Sequence, residues 1–133
     1  AIHNEVFNDY SVQRMRFFAH CLAERMCVME EKHFAYIAVS RADMERFGVN
    51  DTDTEGLVNY TLMMREIHVG VLLKETPAGV RLSFRSKRDF DVNNFARTHF
   101  CGGGHTKAAG GSSDLTLEAT CARLKQELLP LLP

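Results

Sequence analysis

Arg81-Leu-Ser-Phe-Arg-Ser-Lys-Arg88 is followed first by an acidic turn, then by Asp91-Val-Asn-Asn-Phe-Ala-Arg-Thr-His-Phe100 and Cys101-Gly-Gly-Gly-His-Thr-Lys-Ala-Ala-Gly-Gly111. Val80, Leu82 and Phe84 alternate with Arg81, Ser83 and Arg85, the pattern of a half-buried strand with its polar face outward. Just upstream, Thr76-Pro-Ala-Gly79 is a turn signal that joins this strand, Val80–Ser86, to an apolar one at Ile67–Lys74 as a hairpin. A hairpin cannot belong to an all-parallel doubly wound sheet. The run from Asp91 to Phe100 predicts a helix with Asp91 at its N-cap.

Outward from this centre the pattern is mainly helical. Met15, Phe18, Ala19, Leu22, Met26 and Met29 recur at helical spacing and predict a long helix over 11–31, capped by Ser11 or Asp9, with His20 on its solvated side. His33–Ser40 is apolar almost throughout and reads as a strand covered on both faces. Ser40 caps a short helix, Arg41–Phe47, that Gly48 stops. Asp51-Thr-Asp-Thr54 leads into a helix over 55–64, and Leu115–Leu129 forms the last one, ended by Pro130. Together these elements predict an α/β fold, a mixed β-sheet flanked by helices in a single domain over 11–133, with 1–10 a linker or N-terminal arm.

Composition sets bounds on function. A chain of 133 residues that is 45% hydrophobic and 25% charged can bury a real core. A net charge of −1 argues against duplex binding through bulk positive charge, so any anion site must be local. Cys21, Cys27, Cys101 and Cys121 show no C-x-x-C pair, which argues against a zinc ribbon and for free buried thiols in a reducing cytosol. No apolar run is long enough to cross a bilayer.

Three consecutive glycines leave the backbone bare, and without Cβ their N–H groups can approach an anion closely. The spacing matches neither a Walker A loop nor a dinucleotide fingerprint. Gly102, Gly103, Gly104, His105 and Lys107, with Arg85, Ser86 and Arg88, therefore form a candidate phosphate site. Arg85 offers bidentate contact worth about 1.5–3 kcal/mol, Ser86 a hydroxyl and Arg88 longer-range attraction. A bound dianion would favour the protonated form of His105. The alternatives are a glycine loop that only turns the chain, a surface ion pair for Arg85 with Asp89 or Asp91, and solvated charges elsewhere. His3, His33, His68 and His99 form no metal pattern.

These residues also carry a resemblance. Arg85-Ser86, Asp91-Val-Asn93, Gly102-Gly-Gly-His105 and Ala108-Ala-Gly110 resemble the C-terminal DHH-associated domain of the DHH-family phosphoesterases, a group that includes NrnA-type oligoribonucleases and RecJ-like nucleases. Asp53-Thr-Glu-Gly-Leu-Val-Asn-Tyr60 and Gly70-Val-Leu-Leu-Lys-Glu75 extend the likeness over most of the chain. Cys101 stands where that group usually places a fourth glycine.

The resemblance implies a substrate-binding domain of a two-domain, manganese-dependent phosphoesterase acting on short oligoribonucleotides or nucleoside bisphosphates in the cytoplasm. Such a domain works with an N-terminal Asp-His-His domain in cis, and that tripeptide does not occur here. The chain alone would hold neither catalytic nor metal-ligating residues and should hydrolyse nothing, because two-metal hydrolysis needs carboxylates and histidines gathered around the ions. Glu55 and Asn59, one turn apart on the expected helix, belong to the family pattern and would line the cleft. A structural cap and a buried amide are the other readings of this pair. Two other classes remain open. One is a nucleic-acid-binding module without hydrolysis, like the related domain of alanyl-tRNA synthetases; the other is a structural or dimerising domain.

Overall fold

The fold was obtained as a computed structural model that describes residues 9–133; Ala1–Asn8, including His3 and most of the expected arm, lie outside the described residues. Among the described residues six strands form one mixed sheet: β1 (Met26–Met29), β2 (Phe34–Val39), β3 (Val69–Thr76), β4 (Gly79–Ser86), β5 (Gly103–His105) and β6 (Ala108–Ser113), in the order β1-β2-β3-β4-β6-β5. Only β2 and β3 run parallel; every other neighbouring pair is antiparallel. Five helices of the described residues flank it: α1 (Val12–His20), α2 (Arg41–Phe47), α3 (Asn59–Leu62), α4 (Val92–His99) and α5 (Leu117–Leu128). This is the α/β layer that the alternation of elements predicts.

Local chemistry explains most boundaries. The Ser40 hydroxyl accepts the Asp43 N–H at the start of α2, and Gly48, at φ 66°, ends it in the left-handed conformation. The Asp91 carboxylate accepts the Asn94 N–H and opens α4. Thr76 and Gly79 close the β3–β4 hairpin, the Thr76 hydroxyl donating to the Gly79 carbonyl.

Each face of the sheet carries its own core. Phe34, Val71, Leu82, Phe84 and Ala109 pack under α4 and α5 with Phe95, Phe100, Leu124 and Leu128. On the opposite face Ile37, Val39 and Leu72 meet Phe17, Phe18, Met44 and Leu57. β2 serves both clusters, so its apolar run is indeed covered on both sides.

The N-terminal helix is shorter than its spacing predicts. It becomes a π turn at Cys21–Arg25, and Met26–Met29 leaves it as an edge strand on β2. A short apolar run fits either state, and here pairing to β2 decides. The buried set is accordingly Phe17, Phe18 and Cys21, while Met15 is 57% exposed. His20 is not solvated: it packs beside Phe47 and lies 3.2 Å from the Asp43 carboxylate. Nor are the thiols all buried, since Cys27 and Cys101 are exposed.

Two further expectations change. Asp51–Thr54 is a 3₁₀ turn with an Asn50–Asp53 capping box, and regular helix begins only at Asn59. Glu55 therefore lies in extended backbone before the helix, so it and Asn59 do not share a helical face. The glycine run is no open loop either. Gly103–His105 pairs with Ala108–Ser113 as a hairpin turning at Thr106–Lys107. Glycine's poor strand propensity hides this from the sequence.

Candidate functional site

Strand β4 makes the site through its alternation. Val80, Leu82, Phe84 and Ser86 are buried against α4 and α5, which sends Arg81, Ser83 and Arg85 to the other face. On that second face α1, α2 and the 51–62 segment cover β2 and β3. Their cover stops beside β4 and leaves a cleft of about 600 Å³, lined among others by Asp51, Thr54, Glu55, Lys74, Arg81 and Arg85.

The sheet register orders the floor. Arg85 faces Gly70 on one side and Ala108 on the other, and Ala108 in turn faces His105. Arg85 and His105 thus occupy one row on one face, two strand spacings or about 10 Å apart, with only a methyl group between them. The next row along sets Ser83 opposite Gly110, and the third sets Lys74 opposite Arg81 and Arg81 opposite Ser112. Small residues pave the floor and cations stand at its margins. A Cβ on Gly110 would meet only the Leu82 carbonyl oxygen, at 3.6 Å, so this glycine keeps the floor low.

Side-chain contacts fix some of these charges. The Arg85 Nη1 donates to the Phe84 carbonyl at 2.9 Å, which holds the guanidinium along its own strand. The Lys74 ammonium donates to the Thr54 hydroxyl at 3.1 Å and lies 3.7 Å from the Asp51 carboxylate. His105 and Lys107 are exposed at the hairpin's end.

The glycine amides are not free. The Gly102 N–H donates to the Ala96 carbonyl at 3.1 Å, and the Gly104 N–H donates to the Asn93 side-chain oxygen at 2.8 Å. Gly103 pairs with Gly110 in the hairpin. The concave nest that three bare glycines would allow is occupied by the fold itself, and the chemistry of the site rests on side chains.

Other candidates lie apart. Ser86 is buried on the core face, where its hydroxyl donates to the Phe90 carbonyl at 2.9 Å. Arg88 borders a separate cavity of about 330 Å³ with His33, His68 and Phe90. Glu55 reaches the cleft, but Asn59 is exposed and does not border it. Arg81, Ser83, Lys74 and Thr54 are cleft residues that sequence reasoning did not select, although the alternation that exposed Arg85 exposes Arg81 and Ser83 as well. Among the described residues no three His, Cys, Asp or Glu side chains gather as a group that could hold a metal ion. No helix of the described residues is long and apolar enough to cross a membrane.

What the arrangement can do is bind. It offers guanidinium groups, an imidazole, a hydroxyl and an accessible floor of small residues to an anion.

Comparison with known proteins gives a consistent result. The DHHA1 domain family matches residues 31–129. No curated protein matches the chain. Among solved structures, an exopolyphosphatase-related protein from Bacteroides fragilis is similar at 31% identity and a TM-score of 0.90, over 98% of this chain and 39% of that one. A pGpG-specific phosphodiesterase from Vibrio cholerae shares the fold at 10% identity and a TM-score of 0.60, over 90% of this chain and 38% of that one. The chain therefore spans about two fifths of the length of these structures.

Proposed function

Because the chain belongs to the DHHA1 domain family, we propose that it is the substrate-binding half of a two-domain phosphoesterase, gripping the phosphate of short oligoribonucleotides or nucleoside bisphosphates. The observation that carries this reading is the placement of Arg85 and His105 on one open face of the sheet, across Ala108. A phosphate lying on that floor meets a bidentate guanidinium from one side and an imidazole donor from the other. Ser83 adds a hydroxyl below.

Catalysis belongs to a DHH domain placed N-terminally in the same polypeptide. That domain would hold the divalent ions, manganese in our reading, whose chemistry is the activation of water for hydrolysis. The part played by the present residues is to bind and orient. Two large structures of which this chain would form about two fifths support such a division of labour. Cytoplasmic action on nucleotides agrees with four unpaired cysteines.

The test is an NMR titration of the chain, without metal, by a diribonucleotide and by 3′-phosphoadenosine 5′-phosphate. Shifts centred on Gly102–Lys107 and Arg85, abolished in His105→Ala, are expected. Shifts that ignore these residues, or survive both His105→Ala and Arg85→Ala, would refute the reading.

One observation favours a second reading. The amides of Gly102 and Gly104 are spent on α4, so the glycines serve packing, as a purely structural or dimerising domain would require. Unaltered ligand affinity in Arg85→Ala, with a change in sedimentation on dilution, would support it. An RNA module of the alanyl-tRNA synthetase type is disfavoured by the net charge of −1.

A further inference from the structure

Two hydrogen bonds from consecutive residues of one helix bracket His105. The N–H of Gly104, the residue before it, donates to the Asn93 side-chain oxygen at 2.8 Å. The carbonyl of Thr106, the residue after it, accepts the Val92 N–H at 3.0 Å. Val92 and Asn93 open α4, whose start the Asp91 cap fixes. Gly103 leaves the room this needs, since a Cβ there would stand 3.2 Å from the Asn93 oxygen and 3.1 Å from Arg97 Cγ. α4 packs on the core face of β4, whereas Arg85 and His105 lie on the other face. Asn93 therefore reaches the hairpin from behind, through its backbone.

The hairpin needs such a latch. Strand β5 is three residues long, stands at the edge of the sheet and has β6 as its one strand neighbour. Two of its three residues are glycines, which weaken a strand and have no side chain to pack. A ribbon this short does not hold its place by ladder bonds alone. The row that sets Arg85 level with His105 across Ala108 lasts only while β5 stays seated on β6. The Val92 bond is backbone to backbone, so the Asn93 side chain is the part of the latch that substitution can remove.

We propose that Asn93 is a positioning residue for His105. It touches no ligand, and it governs affinity by keeping the hairpin where His105 can meet an anion held by Arg85. The proposal rests on the binding role given to Arg85 and His105 above and adds to it a residue on the opposite side of the sheet. When the latch is lost, only a fraction of the molecules present a seated His105, and the apparent dissociation constant rises by the inverse of that fraction.

The experiment compares the wild-type chain with Asn93→Ala and Asn93→Asp, by amide hydrogen exchange and by NMR titration with a diribonucleotide. Asn93→Ala should speed exchange of the Gly104 amide about tenfold and leave the amides of Leu82 and Phe84 in the core protected. It should weaken the dinucleotide about fivefold and shrink the ligand-induced shift of His105 more than that of Arg85. Asn93→Asp keeps an acceptor for the Gly104 N–H, so it should restore both the protection and the His105 response. Its titration is run at about 0.15 M salt, where the added charge is largely screened at the range of the ligand. A Gly104 amide that exchanges alike in wild type and Asn93→Ala would overturn the proposal. So would an Asn93→Ala chain with a lower urea midpoint but unaltered affinity, or an Asn93→Asp chain that behaves as Asn93→Ala does. Each of these outcomes leaves the Arg85 and His105 grip standing. Failure of the wild type to bind the dinucleotide at millimolar concentration would overturn the proposed function and this inference together.

Discussion

Gly102 lies so close to Gly110 that a Cβ on the first would stand 1.8 Å from the carbonyl oxygen of the second. No rotamer relieves such a contact, because backbone meets backbone. Gly102→Ala should therefore separate β5 from β6 and cost about 1–3 kcal/mol, seen as a lower urea midpoint. Gly110→Ala is the control, since its Cβ would meet only the Leu82 oxygen at 3.6 Å. It should change stability little but raise the cleft floor and weaken anion binding.

Cys101 adopts φ 51°, a left-handed conformation that costs a side-chain-bearing residue and costs glycine nothing. Its thiol is exposed and unpaired, so packing gives no return. Cys101→Gly should stabilise the chain by about 1 kcal/mol, the relief of strain exceeding the added freedom of the unfolded chain. Cys101→Val should do the reverse. Thermal denaturation of the three proteins under reducing conditions decides the order.

Asp43 is 5% exposed and ties together the start of α2 and the turn after α1. Its carboxylate accepts the Arg25 Nε at 2.8 Å and Nη2 at 3.0 Å, and lies 3.2 Å from His20 Nε2. The Arg25 hydrogen bonds above all, opposed by burial and aided by His20, hold its pKa down at about 2 from 3.8. A depressed carboxylate stabilises above its unfolded pKa and loses that contribution as pH falls through the folded value. Asp43→Asn should thus cost roughly 2 kcal/mol at pH 7. The gap from wild type should narrow between pH 4 and pH 2, as measured by urea unfolding across that range.

Why the sequence revealed some of this and concealed the rest follows from which forces act locally. Ser40, Gly48, Asp91 and the Thr76–Gly79 turn are short-range signals, and their elements stand where those signals put them. The mixed sheet followed from one hairpin and one fully apolar strand. Met26–Met29 was illegible because its state is decided by Tyr36 and Ile37 across the ladder, ten residues on. Strand β5 was illegible because Gly102–Gly104 has no side chains to alternate. The site was half legible. Alternation brought Arg85 outward, but the register that sets it level with His105 and sets Lys74 opposite Arg81 exists only in the folded sheet. Ser86 and Arg88, neighbours of Arg85 in sequence, turn away from it.

His68 stacks on His33 with ring centroids 4.5 Å apart and an interplanar angle of 9°. Burial first, then His33, Arg88 and Lys87, lower its pKa below the usual histidine value. The unfolded chain therefore takes up a proton at a higher pH than the folded one does, so stability falls as pH drops through about 6.5. His68→Gln should flatten that fall between pH 7 and pH 5, leaving the acid loss due to Asp43 untouched. An unchanged slope in urea titrations at these pH values would show that His68 does not titrate with folding.

Arg85 is held by its Nη1 bond to the Phe84 carbonyl, which leaves the rest of its planar donor fork to face the cleft. If phosphate is taken bidentately, Arg85→Lys keeps the charge but loses the fork and the strap along the strand. Its affinity for a diribonucleotide should drop about tenfold, and Arg85→Ala should drop it further, towards a hundredfold. If the residue acts only as a positive field, lysine should bind as arginine does at low salt and both should weaken together as salt rises. Titrations of the three proteins at two ionic strengths separate geometry from charge: a lysine variant indistinguishable from wild type at both would exclude the bidentate grip.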